Sequence, residues 1–391
     1  MTAQDFRAPA SVNRVQTLGW IFGGAALVLA IVGAFVSPDK FYPAYLFSYL
    51  LVLGLTLGSL GLLMLQHLTG GQWGIMIRRP LEAASRNVWL ILLMFVPIVL
   101  GMKRLYSAWL TPSEPLTGYQ LRYLTRPGFF FRAVIYFAIW IVLAWLFRSW
   151  SKQQDENPDD LRVTRRIKML AGPGVILYIL AMTFAAIDWV MSLSPHWAST
   201  IYGFIFVGAQ AISAMSLMII VVVALSGSEP YSGFLQTRHL HDLGKLLFAF
   251  NMLWAYFDFS QLLIIWSGNQ PEEISFYRTR LSGEWGVVAV IVLIFSFGLP
   301  FLILLSQRVK RDPGLISKVA LWMLVFRLVD LYWMTRPEFT PTSAVPSWLD
   351  IVVPVALIGL WVGFFAMNLK QRPLLPLGDP KLAEVLAHHE H

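Results

Sequence analysis

The sequence predicts an all-α polytopic membrane protein with about ten transmembrane helices. Three observations predict it. Hydrophobic residues make up 57% of the 391 positions and charged residues only 13%, whereas a soluble domain carries about 25% charged residues. The apolar residues fall in long runs, most of them long enough to cross a bilayer. Aromatic residues are plentiful, with Trp 16, Phe 27 and Tyr 13, as interfacial belts require.

The runs, in order, have apolar cores at 15–36, 43–66, 80–101, 129–149, 169–192, 201–225, 243–267, 285–306, 315–335 and 349–368. The first, Val15 to Val36, has spanning length rather than the shorter core of a signal peptide, so it reads as a membrane helix. The longest connections, 102–128 and 150–168, are too short for a domain, and the polar stretch 151–160 reads as a mobile loop. The whole chain, 1–391, thus reads as one integral membrane domain. A faint internal repeat divides it into two parallel four-helix bundles, spans 2–5 (43–192) and spans 6–9 (201–335). Spans 1 and 10 are then peripheral, and 369–391 is a tail. The fourth helix of each half carries an Asp toward its outer end, Asp188 and Asp330, and parallel repeats are common in transport folds.

Charge sets the orientation. With ten spans, roughly 20 Lys and Arg lie on the side of both termini and about 8 on the other, which places both termini in the cytoplasm. This distribution also accounts for the net charge of +8 without a nucleic-acid partner. The cysteine count is 0. That excludes disulfides, iron–sulfur clusters held by this chain and thioether-linked haem.

Ionisable residues lie inside or at the ends of apolar runs: His67, Glu82, Asp188, His241, Asp242, Lys245, Asp258, Arg327 and Asp330. At the centre of a membrane helix such a charge costs roughly 2.5–3.5 kcal/mol, and it usually faces a partner or a polar path rather than lipid. In Arg-Arg-Pro-Leu-Glu-Ala-Ala-Ser-Arg (78–86), Pro80 suits a first helical position. Glu82 suits the positive helix end, and Arg86 lies four residues on as a pairing partner. Glu82 could equally mark the mouth of a proton path, next to the flexible His67-Leu-Thr-Gly-Gly-Gln-Trp-Gly. Asp188 reads either as a carboxylate hydrogen-bonded to neighbouring helices or as a proton-exchanging group near the outer face.

Span 7 is the richest. Asn251 and Asp258 are seven apart and share a helical face, with Trp254, Ala255 and Gln261 at spacings of three or four. His241, Asp242 and Lys245 open this helix as a hydrogen-bonded cluster. His239 and His241, two apart, do not share a face, which disfavours a metal pair. Arg327 and Asp330, three apart, can meet as an internal ion pair or act as a gate. His388, His389 and His391 lie in a polar tail and receive no ligand role.

Several of these stretches resemble the second large polytopic membrane component of the bacterial alternative complex III. That complex is a quinol:cytochrome c oxidoreductase. The matching phrases are His-Leu-Thr-Gly-Gly-Gln-Trp-Gly with Arg-Arg-Pro-Leu-Glu-Ala (67–83), Asp-Trp-Val-Met-Ser-Leu-Ser-Pro-His-Trp-Ala-Ser-Thr-Ile-Tyr-Gly (188–203), and His-Asp-Leu-Gly-Lys-Leu-Leu-Phe-Ala-Phe (241–250). Gln-Pro-Glu-Glu (270–273) and Gly-Asp-Pro-Lys-Leu (378–382) follow. They run in order through nearly the whole chain.

The resemblance implies kinship with the NrfD and polysulfide-reductase membrane subunits and a place in the bacterial cytoplasmic membrane. It implies partners that carry haem c and iron–sulfur clusters, a sister subunit of the same fold, surrounding lipids and a candidate terminal oxidase. Quinol or menaquinol would be oxidised at the level of the complex, and this chain itself would hold no cofactor. The expected role is proton conduction coupled to quinol oxidation. His67, Glu82, His241, Asp242 and Lys245 would line a cytoplasmic half. Asp188, Asp258 and Asp330 would line an outer half, with Arg327 tuning them.

Three rivals are weighed. The first is a quinone-binding anchor of a related oxidoreductase, using His241, Asp242, Trp254 and Asp258. The second is a stand-alone secondary transporter. The third is a scaffold whose buried charges specify packing.

Overall fold

A computed structural model describes residues 6–113, 115–380 and 382. Of the 369–391 tail, residues 381 and 383–391, among them His388, His389 and His391, lie outside the described residues. Among the described residues all regular structure is helical.

Ten helices have spanning length: α1 (Ala10–Val36), α2 (Pro38–Thr69), α3 (Arg78–Leu100), α4 (Arg126–Glu156), α5 (Leu161–Leu193), α6 (Tyr202–Leu225), α7 (Thr237–Gly268), α8 (Gly283–Leu305), α9 (Pro313–Thr335) and α10 (Leu349–Leu369). Nine of them, among the described residues, are also apolar enough to cross a membrane. The other, α9, carries Lys318, Arg327 and Asp330 within its length. The architecture is that of a multi-pass helical membrane protein.

Most helices extend beyond their apolar cores, because capping side chains and polar faces continue the hydrogen-bonding pattern. Pro38 opens α2 at a position whose missing N–H costs nothing. Thr125 caps α4 by accepting from the Gly128 N–H. Asp160 caps α5, and Asp312 caps α9 just before Pro313. At the end of α2, Gly70 (φ 67°) and Gly71 (φ 90°) turn the chain through a conformation that side chains rarely adopt. Pro80 is the third residue of α3 rather than the first, still within the turn whose N–H groups lack helical partners. The middle of α8, Leu293–Gly298, widens into a π-helical turn just before Pro300, a residue that cannot donate to the ladder.

The sequence reading of 151–160 as a mobile loop is corrected. α4 runs on to Glu156 and α5 begins at Leu161. The polar residues there are ordered because Ser151, Gln154 and Asp155 hydrogen-bond to arginines of α3.

α2 is nearly enclosed by protein, whereas α1, α7 and α8 leave most of their apolar surface outward. α2 packs on α3, α5, α6, α9 and α10, while α6 packs on α5, α7 and α9 as well as α2. α4 lies against α3 and α5, and α8 against α7 and α9.

At the periphery, α1 packs chiefly on α10 through glycines. A Cβ at Gly23 would stand 2.6 Å from the Leu360 backbone nitrogen, and one at Gly359 would stand 2.6 Å from the Gly23 Cα. Small residues of this kind let membrane helices approach closely. Gly23→Leu is therefore expected to force the pair apart and destabilise the protein by about 1–3 kcal/mol. Thermal unfolding in detergent should show the loss, while Gly24→Leu, which meets open space, should unfold like the wild type.

Candidate functional site

The polar stripe of α7 forms as its spacing predicts. Asn251, Trp254 and Gln261 are buried, and Asp258 is half-buried. Gln261 donates to the Tyr277 hydroxyl at 2.8 Å and accepts from Ser199. Asn251 is different: it is fully buried, yet neither its carbonyl nor its amide nitrogen has a partner among the described residues. The Trp254 indole N–H is likewise unpartnered. So are the buried hydroxyls of Tyr202 and Ser216 on α6, the helix that α7 packs against. Buried polar groups are nearly always satisfied, by water where protein does not reach. A buried amide with four unused hydrogen-bonding sites marks a place for ordered water.

Asp258 lies on the wall of a cavity of about 550 Å3 between α7, α8 and the connecting helix Pro271–Arg280. Its lining is apolar almost throughout, including Phe259, Leu262, Ala289, Val292 and Phe297. Asp258, Tyr256 and Tyr277 bring ionisable groups to this wall, and Trp254 and Trp333 bring indoles. With its oxygen occupied by Gln261, the Tyr277 hydroxyl keeps a proton to donate. Asp258 forms no hydrogen bond or salt bridge with any described residue and feels Arg327 only at longer range. Arg327 itself is buried and paired with Asp330 one turn along α9. The arginine thus stands between one bonded carboxylate and one free one.

Asp188 occupies a different set of partners. Arg132 of α4 grips it with two charge-assisted bonds of 2.8 Å each, and the Tyr136 hydroxyl donates a third at 2.7 Å. The Arg132 guanidinium also lies over the Tyr123 ring, 3.8 Å from its centroid. Asp188 is 1% exposed, and this geometry matches the hydrogen-bonded alternative of its sequence reading.

Glu82 sits in a buried network at the opposite ends of the helices. It takes Arg79 at 2.6 Å, Arg78 at 3.2 Å and the Ser151 hydroxyl at 2.7 Å, with Arg372 at 3.5 Å. Arg79 also binds Asp155, and Arg78 also binds Asp379. The expected Glu82–Arg86 pair does not form: Arg86 donates to Gln371 instead, because three other arginines reach Glu82 first. His67 lies beside this network, stacked at 5.7 Å on Phe147 and lining a small cavity with Arg78 and Asp379. His241, Asp242 and Lys245 stand apart from it at the start of α7. There Lys245 and Asp242 pair at 3.3 Å near the surface.

The nine residues read from sequence therefore belong to separate groups. Arg327 and Asp330 join, with Asp258 in electrostatic range. Glu82 and His67 border one network, while Asp188 is bound elsewhere.

Sequence reasoning missed Arg132, Tyr277, Asp155, Arg372 and Arg280. Arg132 had a signal, as a basic residue seated inside an apolar run. Arg280 ends the connecting helix: it binds Glu338 at 2.9 Å, donates to the Met334 carbonyl and lies over the Phe276 ring. Burial pushes its guanidinium below the ordinary arginine range, against the pull of Glu338. Compared with known families and curated proteins, the chain matches no family model and no individual relative.

If the Asn251 amide holds water rather than packing, Asn251→Leu should leave thermal stability unchanged or raise it. Replacing an unsatisfied polar group by an apolar one of similar volume is nearly neutral. The same variant should slow any proton transfer through this stripe, measured in vesicles. A marked fall in thermal stability would instead make Asn251 a packing residue.

Proposed function

We propose that this chain is an integral membrane subunit of a quinol:cytochrome c oxidoreductase of the alternative complex III type, in a bacterial cytoplasmic membrane with both termini inside. Its role in this reading is to conduct protons coupled to quinol oxidation. One observation carries the reading: a membrane carboxylate without a bonding partner, Asp258, shares a helix face with the unsatisfied amide of Asn251. An unpaired carboxylate can take up and give back a proton, and water at the orphaned amide can relay it.

In this reading Asp258 is the exchanging group and Arg327, tied to Asp330, biases its charge state. Glu82, among three arginines, and Asp188, held by Arg132 and Tyr136, brace the bundle. His67, His241, Asp242 and Lys245 border the cytoplasmic approach. The two-bundle repeat, α2–α5 and α6–α9, belongs to the same proposal. Its support is that Asp188 and Asp330 occupy matching helices and each pairs with an arginine. Haem c and iron–sulfur centres would sit on partner subunits, as the phrases shared with the alternative complex III family imply.

The subunit assignment is tested by gentle purification from native membranes, with a reduced-minus-oxidised spectrum and identification of co-purifying chains. The expected result is a coloured complex with multihaem cytochrome c and iron–sulfur polypeptides. A colourless chain, stable and monodisperse alone, would overturn it in favour of the transporter reading.

A second reading has its own observation. The 550 Å3 cavity is apolar apart from one carboxylate, two phenols and two indoles, groups of the kind a quinone headgroup needs. Of the four residues expected for such a site, Trp254 and Asp258 line the cavity, and His241 and Asp242 do not. Photolabelling of the complex with an azido-quinone should then mark α7 or the Pro271–Arg280 helix. Label confined to a sister subunit would remove this reading.

A further inference from the structure

A groove between α3, α4 and the chain just after α10 carries an unbalanced set of arginines. Arg86 of α3 and Arg148 of α4 both donate to one neutral acceptor, the Gln371 side-chain oxygen. Two guanidiniums converging on an amide leave their charge uncompensated. Arg372 joins them, donating through Nη2 to the Arg148 carbonyl at 3.1 Å. Its Nη1 is buried without a hydrogen bond, 3.5 Å from a Glu82 oxygen already held by Arg79. Among the described residues, Arg78, Arg79, Arg86, Arg148 and Arg372 face three carboxylates, Glu82, Asp155 and Asp379.

The wall beside this charge is apolar and outward-facing. Trp89 lies three residues from Arg86 on α3, and Trp145 three residues from Arg148 on α4. They are 59% and 62% exposed. Residues three apart share a helical face, so each arginine sits one turn from an exposed tryptophan, toward the same end of the bundle. Leu93 and Val142 extend the apolar wall by another turn and are also exposed. A free anion has no use for such a wall. An amphiphile with an anionic head and acyl chains fits both parts, and basic pockets between membrane helices on the cytoplasmic side bind such heads.

We infer that Arg86, Arg148 and Arg372 hold the phosphate of an anionic phospholipid, whose chains lie along Trp89 and Trp145. Gln371 occupies the place of one phosphate oxygen and gives way to it. This inference rests on the groove alone and is independent of the proton and quinone readings.

The test uses the protein purified with whatever chains accompany it, exchanged into a delipidating detergent. Thermal unfolding is followed while phosphatidylglycerol, phosphatidylcholine or inorganic phosphate is added. Phosphatidylglycerol should raise the unfolding midpoint of the wild type and of R162Q/R165Q, a charge-matched control at an exposed site. R86Q/R148Q should need about tenfold more of that lipid, or more, for the same shift. Should the double variant not fold, R148Q alone should show a smaller change in the same direction. Native mass spectrometry should find a retained phospholipid on the wild type and none on the variant. An equal response of wild type and variant would overturn the inference. So would an equal effect of phosphatidylcholine, or reproduction of the shift by inorganic phosphate, which would make the groove a general anion site.

Discussion

Asp258→Asn is expected to cut proton release per electron to the level of chemistry at the quinol alone and to slow coupled turnover at least about tenfold, the scale on which proton-transfer groups act. Asparagine keeps the shape and polarity of the side chain but cannot exchange a proton. The cavity wall and the α7–α9 contact should therefore survive, and thermal unfolding should match the wild type. Asp258 has no bonded partner to lose among the described residues, which separates this variant from one that merely damages the fold. Proton yield in vesicles, measured beside quinol oxidation rate, decides it. Unchanged yield and rate together would remove Asp258 from any path.

Glu82→Ala should have the largest effect on stability. Two buried arginines, Arg78 and Arg79, and the half-buried Arg372 share that carboxylate, and removing it leaves their charges facing one another in a medium that solvates them poorly. Breaking a buried ion pair by deleting one partner costs about 3–5 kcal/mol. The complex should unfold at markedly lower temperature or fail to assemble. Glu82→Gln retains the acceptor for Ser151 and one arginine and should lose less. If Glu82→Ala assembled normally but stopped proton transfer, the network would be a conduit rather than a brace.

The long helices and their order were legible in the sequence because apolar run length is a direct physical signal of a membrane span, although nine of the ten expected spans, among the described residues, are apolar enough to cross. The ends were less so. α4 reaches Glu156 because Gln154 and Asp155 find arginines on α3, a partnership across more than seventy positions that local composition does not encode. The face shared by Asn251 and Asp258 was legible from their spacing, since periodicity alone sets it. What lies opposite that face was not. Tyr277 enters the cavity from a short helix whose residues read as an outer connection, and Arg327 nears Asp258 only through helix packing. Asp188 shows the same limit: its charge was conspicuous, but its partner, Arg132, lies fifty-six positions away. Isolated charges mark where a membrane protein is costly to build. Only the fold distinguishes a saturated ion pair from a group left free to exchange.

The most direct measurement is the redox-induced infrared difference spectrum of the purified complex, in the region where a protonated carboxyl group absorbs. The account predicts a band that changes on quinol oxidation, moves in heavy water and is missing in Asp258→Asn. Identical difference spectra for wild type and Asp258→Asn would contradict the claim that this carboxylate exchanges a proton.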